Sequence, residues 1–245
     1  MREDRPRLCL LLALSRADRP PCGGPGGAAA LSEAAGRGGT VTTIDFVFGV
    51  SSRYSYLAAS QLPALAAEFG VTFRWRPVTT IALVRQARGG GSTPFDGAPP
   101  AMQYDFKWRR QDAEAWASLY GIPFNEPHGR LKYDAVELNL GCVAAGLLGA
   151  VEPYARRLAR RIFADDNDSP VGRADLIAAA AAAGLDGERF ETQLAAPETQ
   201  AAVAAIQDEA AARGAFGVPS FLVDGKVIWG NDRIPLLRHH LATRA

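Results

Sequence analysis

Two adjacent serines and an arginine stand at the predicted start of the first helix, where they could bind an anion. The segment reads GVSSRYSYLA (Gly49 to Ala58) and contains no cysteine. The unpaired N–H groups and the dipole at a helix N-terminus favour negative charge. The hydroxyl of Ser51 or Ser52, the Arg53 cation and this helix end therefore predict a site that holds a thiolate supplied by another molecule. The competing interpretation is that the serines only cap the helix and that Arg53 is solvated.

A second candidate segment is FGVPSF (Phe216 to Phe221), in which Pro219 stands immediately before a predicted strand. A proline at this place favours a cis peptide with Val218, although only about 5–6% of X–Pro bonds in folded proteins are cis. The backbone of the residue before such a proline can pair with an extended peptide as an added strand. The alternative is a trans proline that only starts the strand.

The elements that must position these segments begin with a β-α-β unit. Strands are predicted over 41–48 and 71–78, and the helix between them, over 54–69, ends at Gly70. A right-handed crossover makes the two strands parallel neighbours. Helical periodicity then covers 101–120, 133–148, 153–165, 171–183 and 200–213.

The C-terminal segment returns to strands. Two short strands are predicted over 220–223 and 227–229, and the Asp-Gly dipeptide at Asp224 between them is a strong type I′ hairpin signal. Asn231 and Asp232 are predicted as N-caps of a final helix. A β-α-β unit and a β-β-α unit around one sheet predict an α/β fold with a thioredoxin-like core and an inserted all-helical domain.

The predicted domain limits follow from this order. The core takes residues 41–88 and 214–245, and the helical insertion takes residues 89–213. Residues 1–40 are rich in Gly and Pro without an apolar period, which predicts a disordered or mis-started leader. A signal peptide is the alternative there, since arginines precede a short apolar run.

Cysteine usage and charge exclude several classes of function. A thioredoxin-like disulfide oxidoreductase carries C-x-x-C at the first turn, so the lack of cysteine there excludes self-contained thiol–disulfide exchange. The three cysteines, Cys9, Cys22 and Cys142, have no paired spacing, which argues against a disulfide scaffold and a metal site. With 27 Lys+Arg against 26 Asp+Glu, no nucleic-acid partner is expected. No stretch is long and apolar enough to span a membrane, and a cytoplasmic protein is expected.

Four segments together carry a family resemblance: IDFVFGVSSRYSYLA, WASLYGIP, FGVPSF and WGNDRI. From Val41 to the C-terminus the chain resembles the bacterial 2-hydroxychromene-2-carboxylate isomerases, which belong with the kappa-class glutathione transferases in the DsbA-like group. The resemblance implies glutathione as cofactor, an unsaturated aromatic carboxylate as substrate, and isomerisation by reversible thiolate addition. A kappa-like glutathione transferase or peroxidase and a non-catalytic thiol- or peptide-binding module are the alternatives, and a homodimer stays open.

The resemblance also implies roles for particular residues. Ser52 would hydrogen-bond the glutathione sulfur, and the backbone of Val218, before the cis proline Pro219, would pair with the cysteinyl unit. The turn after the last strand would hold the γ-glutamyl end, with Asp232 as counter-ion of its ammonium group. This turn consists of Trp229, Gly230, Asn231 and Asp232.

Two departures from the family pattern change the expected site. Arg53 stands where the family has proline, and a cation there should lower the thiol pKa, which makes Arg53 a second catalytic candidate. The loop RGGG from Arg88 replaces a Gly-Asn segment, so Arg88 is predicted to meet the substrate carboxylate. In the helix over 101–120, Lys107 or Arg110 is predicted to line the cleft, and Trp108 is predicted to lie in the core.

Overall fold

The computed structural model describes residues 41–126, 132–165 and 168–244, so the predicted leader over 1–40 lies outside the described residues. One mixed sheet has the strand order β2-β1-β3-β4, in which β1 is parallel to β2 and antiparallel to β3, and β3 is antiparallel to β4. The predicted strands are therefore confirmed. They are β1 (Thr43–Phe48), β2 (Thr72–Pro77), β3 (Ser220–Val223) and β4 (Lys226–Trp229).

Helices cover both faces of this sheet and fill the chain between β2 and β3. They are α1 (Arg53–Phe69), α2 (Thr80–Ala87), α3 (Phe106–Tyr120), α4 (Ala135–Leu147), α5 (Val151–Phe163), α6 (Arg173–Ala182), α7 (Gly187–Ala195), α8 (Pro197–Ala212) and α9 (Ile234–Ala242). The predicted helices are confirmed, whereas α2 and α7 were not predicted. The limits of the predicted helical insertion stay a prediction. In the described ranges, no helix meets the length and hydropathy needed to cross a bilayer.

The central strand β1 is buried on both faces, as expected for a strand covered by helices on either side. Ile44, Phe46 and Phe48 join a core cluster with side chains of α1, α4 and α5. The Phe46 ring packs edge-on against Trp75 of β2, at 5.0 Å between centroids. Val47 points the other way, into a cluster with side chains of α2 and α8. Packing on both faces therefore holds β1 in place up to Phe48, and the loop that carries Gly49 follows it.

A buried carboxylate ties three elements together on the α8 side. The Asp45 side chain of β1 accepts hydrogen bonds from Arg74 of β2 and from Arg213, which follows α8. Burial raises the pKa of the Asp45 carboxyl, but the hydrogen bonds and charges of the two arginines outweigh it and hold that pKa below its usual value. The ion pairs therefore stabilise Asp45 in its charged form.

The C-terminal hairpin confirms one prediction and corrects another. Asp224 and Gly225 have φ values of 50° and 72°, which a type I′ turn requires. Asn231 and Asp232, however, do not cap α9. They lie inside a 3-10 turn over Asn231–Arg233, with Gly230 before it, and α9 begins only at Ile234.

Candidate functional site

Two segments far apart in sequence meet at the carboxyl end of β1. Val47 pairs with Ser220 in the antiparallel ladder, so the loop after β1 lies beside the residues that precede β3. The Val218–Pro219 peptide bond is cis, as predicted. A Cβ atom built at Gly49 would lie 3.5 Å from Cγ2 of Val218 and 2.2 Å from Oγ1 of Thr80. Only a residue without a side chain fits this approach, which explains the glycine.

Ser52 is the N-cap of α1. Its Oγ accepts a hydrogen bond from the Ser55 N–H at 3.3 Å, and its own N–H donates to the Gly49 carbonyl at 2.9 Å. Ser52 is therefore an N-cap, but the capping bond does not use its hydroxyl hydrogen. This hydrogen has no acceptor within the described part of the chain, so it can be donated to an anion at the helix N-terminus.

Arg53 is 5% exposed, so the competing interpretation of a solvated helix-start arginine is wrong. Its Nη2 lies 3.0 Å from Oε1 of Glu126, and its guanidinium stacks on the Phe106 ring at 4.8 Å. Burial lowers the pKa of Arg53, and the charge of Glu126 opposes this. Burial likewise raises the pKa of the Glu126 carboxyl against the effect of Arg53. The pairing explains how a cation is tolerated beside a helix N-terminus.

The turn after β4 lies at the same edge of the sheet, because Trp229 pairs with Ser220. The Gly230 N–H donates to the Pro219 carbonyl at 2.9 Å, which connects this turn directly to the cis-proline loop. Trp229 is half-exposed and packs on Phe216 at 5.0 Å between ring centroids. A Cβ atom at Gly217 would lie 2.6 Å from the indole Nε1, so this packing requires a glycine.

The two polar residues of this turn differ in their surroundings. Asn231 is 2% exposed, and its carboxamide makes no hydrogen bond of normal geometry within the described ranges. Burial raises the pKa of the neighbouring Tyr120, and its interaction with the Asn231 side chain opposes part of this increase. The Asp232 carboxylate is exposed and forms an ion pair with Arg233 at 2.8 Å. The turn thus offers one accessible carboxylate, that of Asp232, to a ligand, whereas the Asn231 carboxamide is enclosed by protein.

The predicted substrate-binding residues, Arg88 and Lys107, are both exposed, and their role stays a prediction. Arg88 is exposed at the far end of α2, about 12 Å along the helix from Thr80 at 1.5 Å per residue, and its Nε donates to the Ser92 carbonyl. Lys107 is exposed on the first turn of α3, next to Phe106, which covers Arg53. Trp108 is 42% exposed, so its prediction as a core residue is wrong.

Sequence reasoning missed a cavity of about 160 Å³ next to the loop. It lies between α1 and α5, and Gly49, Val50 and Ser55 form the wall that it shares with the site. Arg156 and Arg160 of α5 also line it. Neither arginine belongs to a recognisable motif, because the cavity depends on how α5 packs against α1.

Comparison with known proteins confirms the resemblance. The chain is 29% identical over 199 residues to a 2-hydroxychromene-2-carboxylate isomerase of Sphingobium xenophagum, a match that covers 81% of this chain and 97% of the relative. It is 27% identical over 195 residues to the enzyme of the same name from Pseudomonas putida, covering 79% and 91%. A solved 2-hydroxychromene-2-carboxylate isomerase structure superposes with a TM-score of 0.68 at 25% identity, covering 82% and 95%.

These matches agree with the fold predicted from the order of elements. The thioredoxin-like α/β fold is confirmed, with its four-stranded mixed sheet and flanking helices. The family model of the DSBA-like thioredoxin domain matches residues 43–242, which is most of the chain. The chain therefore belongs to the family of DSBA-like thioredoxin domains.

Proposed function

We propose that this protein is a glutathione-dependent cis/trans isomerase of 2-hydroxychromene-2-carboxylate or a similar unsaturated aromatic acid. The observation that carries the proposal is that the loop leading to the serine N-cap, Ser52, approaches the cis-proline loop at Val218 through Gly49. A helix N-terminus without cysteine is suited to stabilise a thiolate that comes from elsewhere. The names of the relatives supply the reaction.

The residues at the sheet edge fit glutathione. Val218 lies before β3 and outside the β1–β3 ladder, so its backbone can accept the cysteinyl unit as an added strand. The Asn231 carboxamide is buried beside Tyr120 and holds the turn in place next to the peptide site. The Asp232 carboxylate is a counter-ion for the glutamyl ammonium group.

Glutathione would supply the thiolate that adds reversibly to the conjugated carbon and leaves after rotation about the single bond. The chain holds that thiolate in its charged form. Ser52 donates its hydroxyl hydrogen to the sulfur, and the N-terminus of α1 adds a favourable dipole. Arg53 raises the local potential, but its pairing with Glu126 offsets much of its charge. We therefore expect Ser52 to contribute more than Arg53 to the lowered thiol pKa.

The test follows cis/trans interconversion by absorbance with glutathione at about a tenth of the substrate concentration. We expect full conversion to equilibrium, with all of the glutathione recovered as free thiol. We also expect Ser52→Ala to lower turnover by about 10²-fold, while Ser51→Ala, which removes the neighbouring hydroxyl, stays close to wild type. Stoichiometric loss of glutathione would instead indicate a transferase or peroxidase. Glutathione binding without turnover would indicate a binding module.

A further inference from the structure

The cavity between α1 and α5 has the size of one aromatic ring. Its volume is about 160 Å³, and an apolar cavity of about 150 Å³ accommodates a benzene molecule. The cavity borders the loop between β1 and α1, which carries Ser52, and the first turn of α1, because Gly49 and Ser55 both line it. These two residues are hydrogen-bonded to each other at 3.3 Å, and each also hydrogen-bonds Ser52.

Aromatic side chains form much of the cavity wall. Phe48, Tyr56 and Trp75 line it, and Phe48 packs edge-on against Trp75 at 5.1 Å between centroids. The Tyr56 hydroxyl already donates to the Pro123 carbonyl at 2.7 Å, so its ring is held in place. Rings arranged in this way make offset or edge contacts with a further aromatic ring. The cavity therefore favours a flat aromatic guest.

The two arginines at the cavity differ in how far their guanidinium groups are already engaged by other residues. Arg156 is engaged by Glu152 at 2.8 Å and by the Ala59 carbonyl at 2.9 Å, and it stacks on Trp75. Arg160 has a side chain that is 57% exposed, and its Nε lies 3.1 Å from Asp165. Because the guanidinium is accessible and carries five N–H donors, it can also bind a carboxylate at the mouth of the cavity.

We propose that this cavity binds the ring of an aromatic carboxylate and that Arg160 pairs with the carboxylate group. The identity of the acid rests on the proposed function, in which the substrate is such a molecule. In this arrangement, side chains of α5 recognise the substrate, and the substrate ring lies against the loop that carries Ser52. It makes Arg160 a specificity residue that the sequence did not indicate.

In the test, benzoate is titrated into the glutathione-free protein, and its binding is measured from the indole N–H resonance of Trp75 by NMR. We expect Arg160→Gln to weaken benzoate binding by about two- to fivefold, because solvent screens the ion pair of an arginine that is more than half exposed. Arg157→Gln is the matched control, because Arg157 lies on the same helix and pairs with the same Asp165 at 2.9 Å but does not line the cavity. It should change binding by less than about twofold.

Two further measurements separate ring from charge. Benzyl alcohol keeps the ring without the carboxylate, and its binding should not change in Arg160→Gln. Ala159→Leu adds side-chain volume inside the cavity, since Ala159 lines it and is 7% exposed. We expect this variant to lose both ligands and to raise the KM for the chromene carboxylate, with an unchanged Kd for glutathione.

The outcomes distinguish this inference from the proposed function. Equal benzoate affinity in wild type, Arg160→Gln and a folded Ala159→Leu protein would overturn the assignment of the cavity and leave the isomerase proposal standing. Benzoate binding that depends on Arg160 in a protein without glutathione-dependent turnover would support the cavity and refute the isomerase. Tighter glutathione binding by wild type than by Arg160→Gln would also overturn the assignment, because Arg160 would then contact the peptide.

Discussion

Replacing Gly49 by alanine probes how closely the two halves of the candidate site approach each other. The new Cβ would lie 2.2 Å from Thr80 Oγ1, far inside contact distance, and 3.5 Å from Val218 Cγ2, which is an ordinary contact. The Thr80 side chain must therefore move against its packing. We expect Gly49→Ala to lower the free energy of unfolding by about 1–3 kcal/mol, as for other overpacked sites, measured by urea unfolding.

A double-mutant cycle makes this expectation specific. The Thr80 hydroxyl is buried and makes no hydrogen bond among the described residues, so Thr80→Ala should cost little by itself. In the Gly49→Ala/Thr80→Ala protein the overlap is gone, and most of the lost stability should return. The coupling free energy should then be about 1 kcal/mol or more. A Gly49→Ala protein as stable as wild type, or a double variant no more stable than Gly49→Ala, would refute the reasoning.

Three other predictions follow from the described contacts. Ser52→Ala should raise the pKa of the bound glutathione thiol by about 1 unit or more, since a hydrogen bond to a charged group is lost; thiolate absorbance against pH measures it. Asp45 has a lowered pKa in the folded protein, so the stability it contributes is present above its unfolded pKa of about 3.9 and is lost as the pH falls through the lower folded value. Asp45→Asn should therefore flatten the acid side of the stability profile. Glu126→Gln leaves the Arg53 guanidinium buried without its counter-charge and should cost about 3–5 kcal/mol, part of which Arg53→Met/Glu126→Gln regains.

Each of these has its own control. Ser52→Thr keeps a hydroxyl and should keep the thiol pKa within a few tenths of a unit of wild type. A stability profile of Asp45→Asn that runs parallel to wild type below pH 4 would contradict the role of the arginine pairs. A double variant that is less stable than Glu126→Gln alone would mean that Arg53 is held by its stacking on Phe106 rather than by Glu126.

Much of the fold followed from local sequence signals. The strand and helix around Gly70 and the Asp224-Gly225 turn carry hydrophobic periods and turn residues that act over a few positions. The helix α2 was missed because it is short and its N-cap residue, Thr79, makes no side-chain capping bond. The helix α7 begins at a capping residue, Asp186, which accepts from the Arg189 N–H, so a local signal for this helix is present in the sequence.

The candidate site was only partly predictable. The meeting of Ser52 with the cis-proline loop followed from the order of the strands, because that order places both at one sheet edge. The burial of Arg53 did not, since its partner Glu126 lies in an irregular segment with no motif. The position of Arg160 at the cavity depends on how one helix packs against another, and a single sequence does not encode such packing in a readable pattern.

The strand β1 obtains its antiparallel neighbour from a segment much later in the polypeptide, because Val47 pairs with Ser220. During synthesis, the amino-terminal β-α-β unit leaves the ribosome long before this neighbour exists. Contacts between such distant segments form slowly, so the backbone N–H and C=O groups of β1 that face β3 stay unpaired until β3 is present. A nascent chain that ends before Phe216 would therefore carry the serine turn without the cis-proline loop, so the two segments of the candidate site can meet only once β3 has been made.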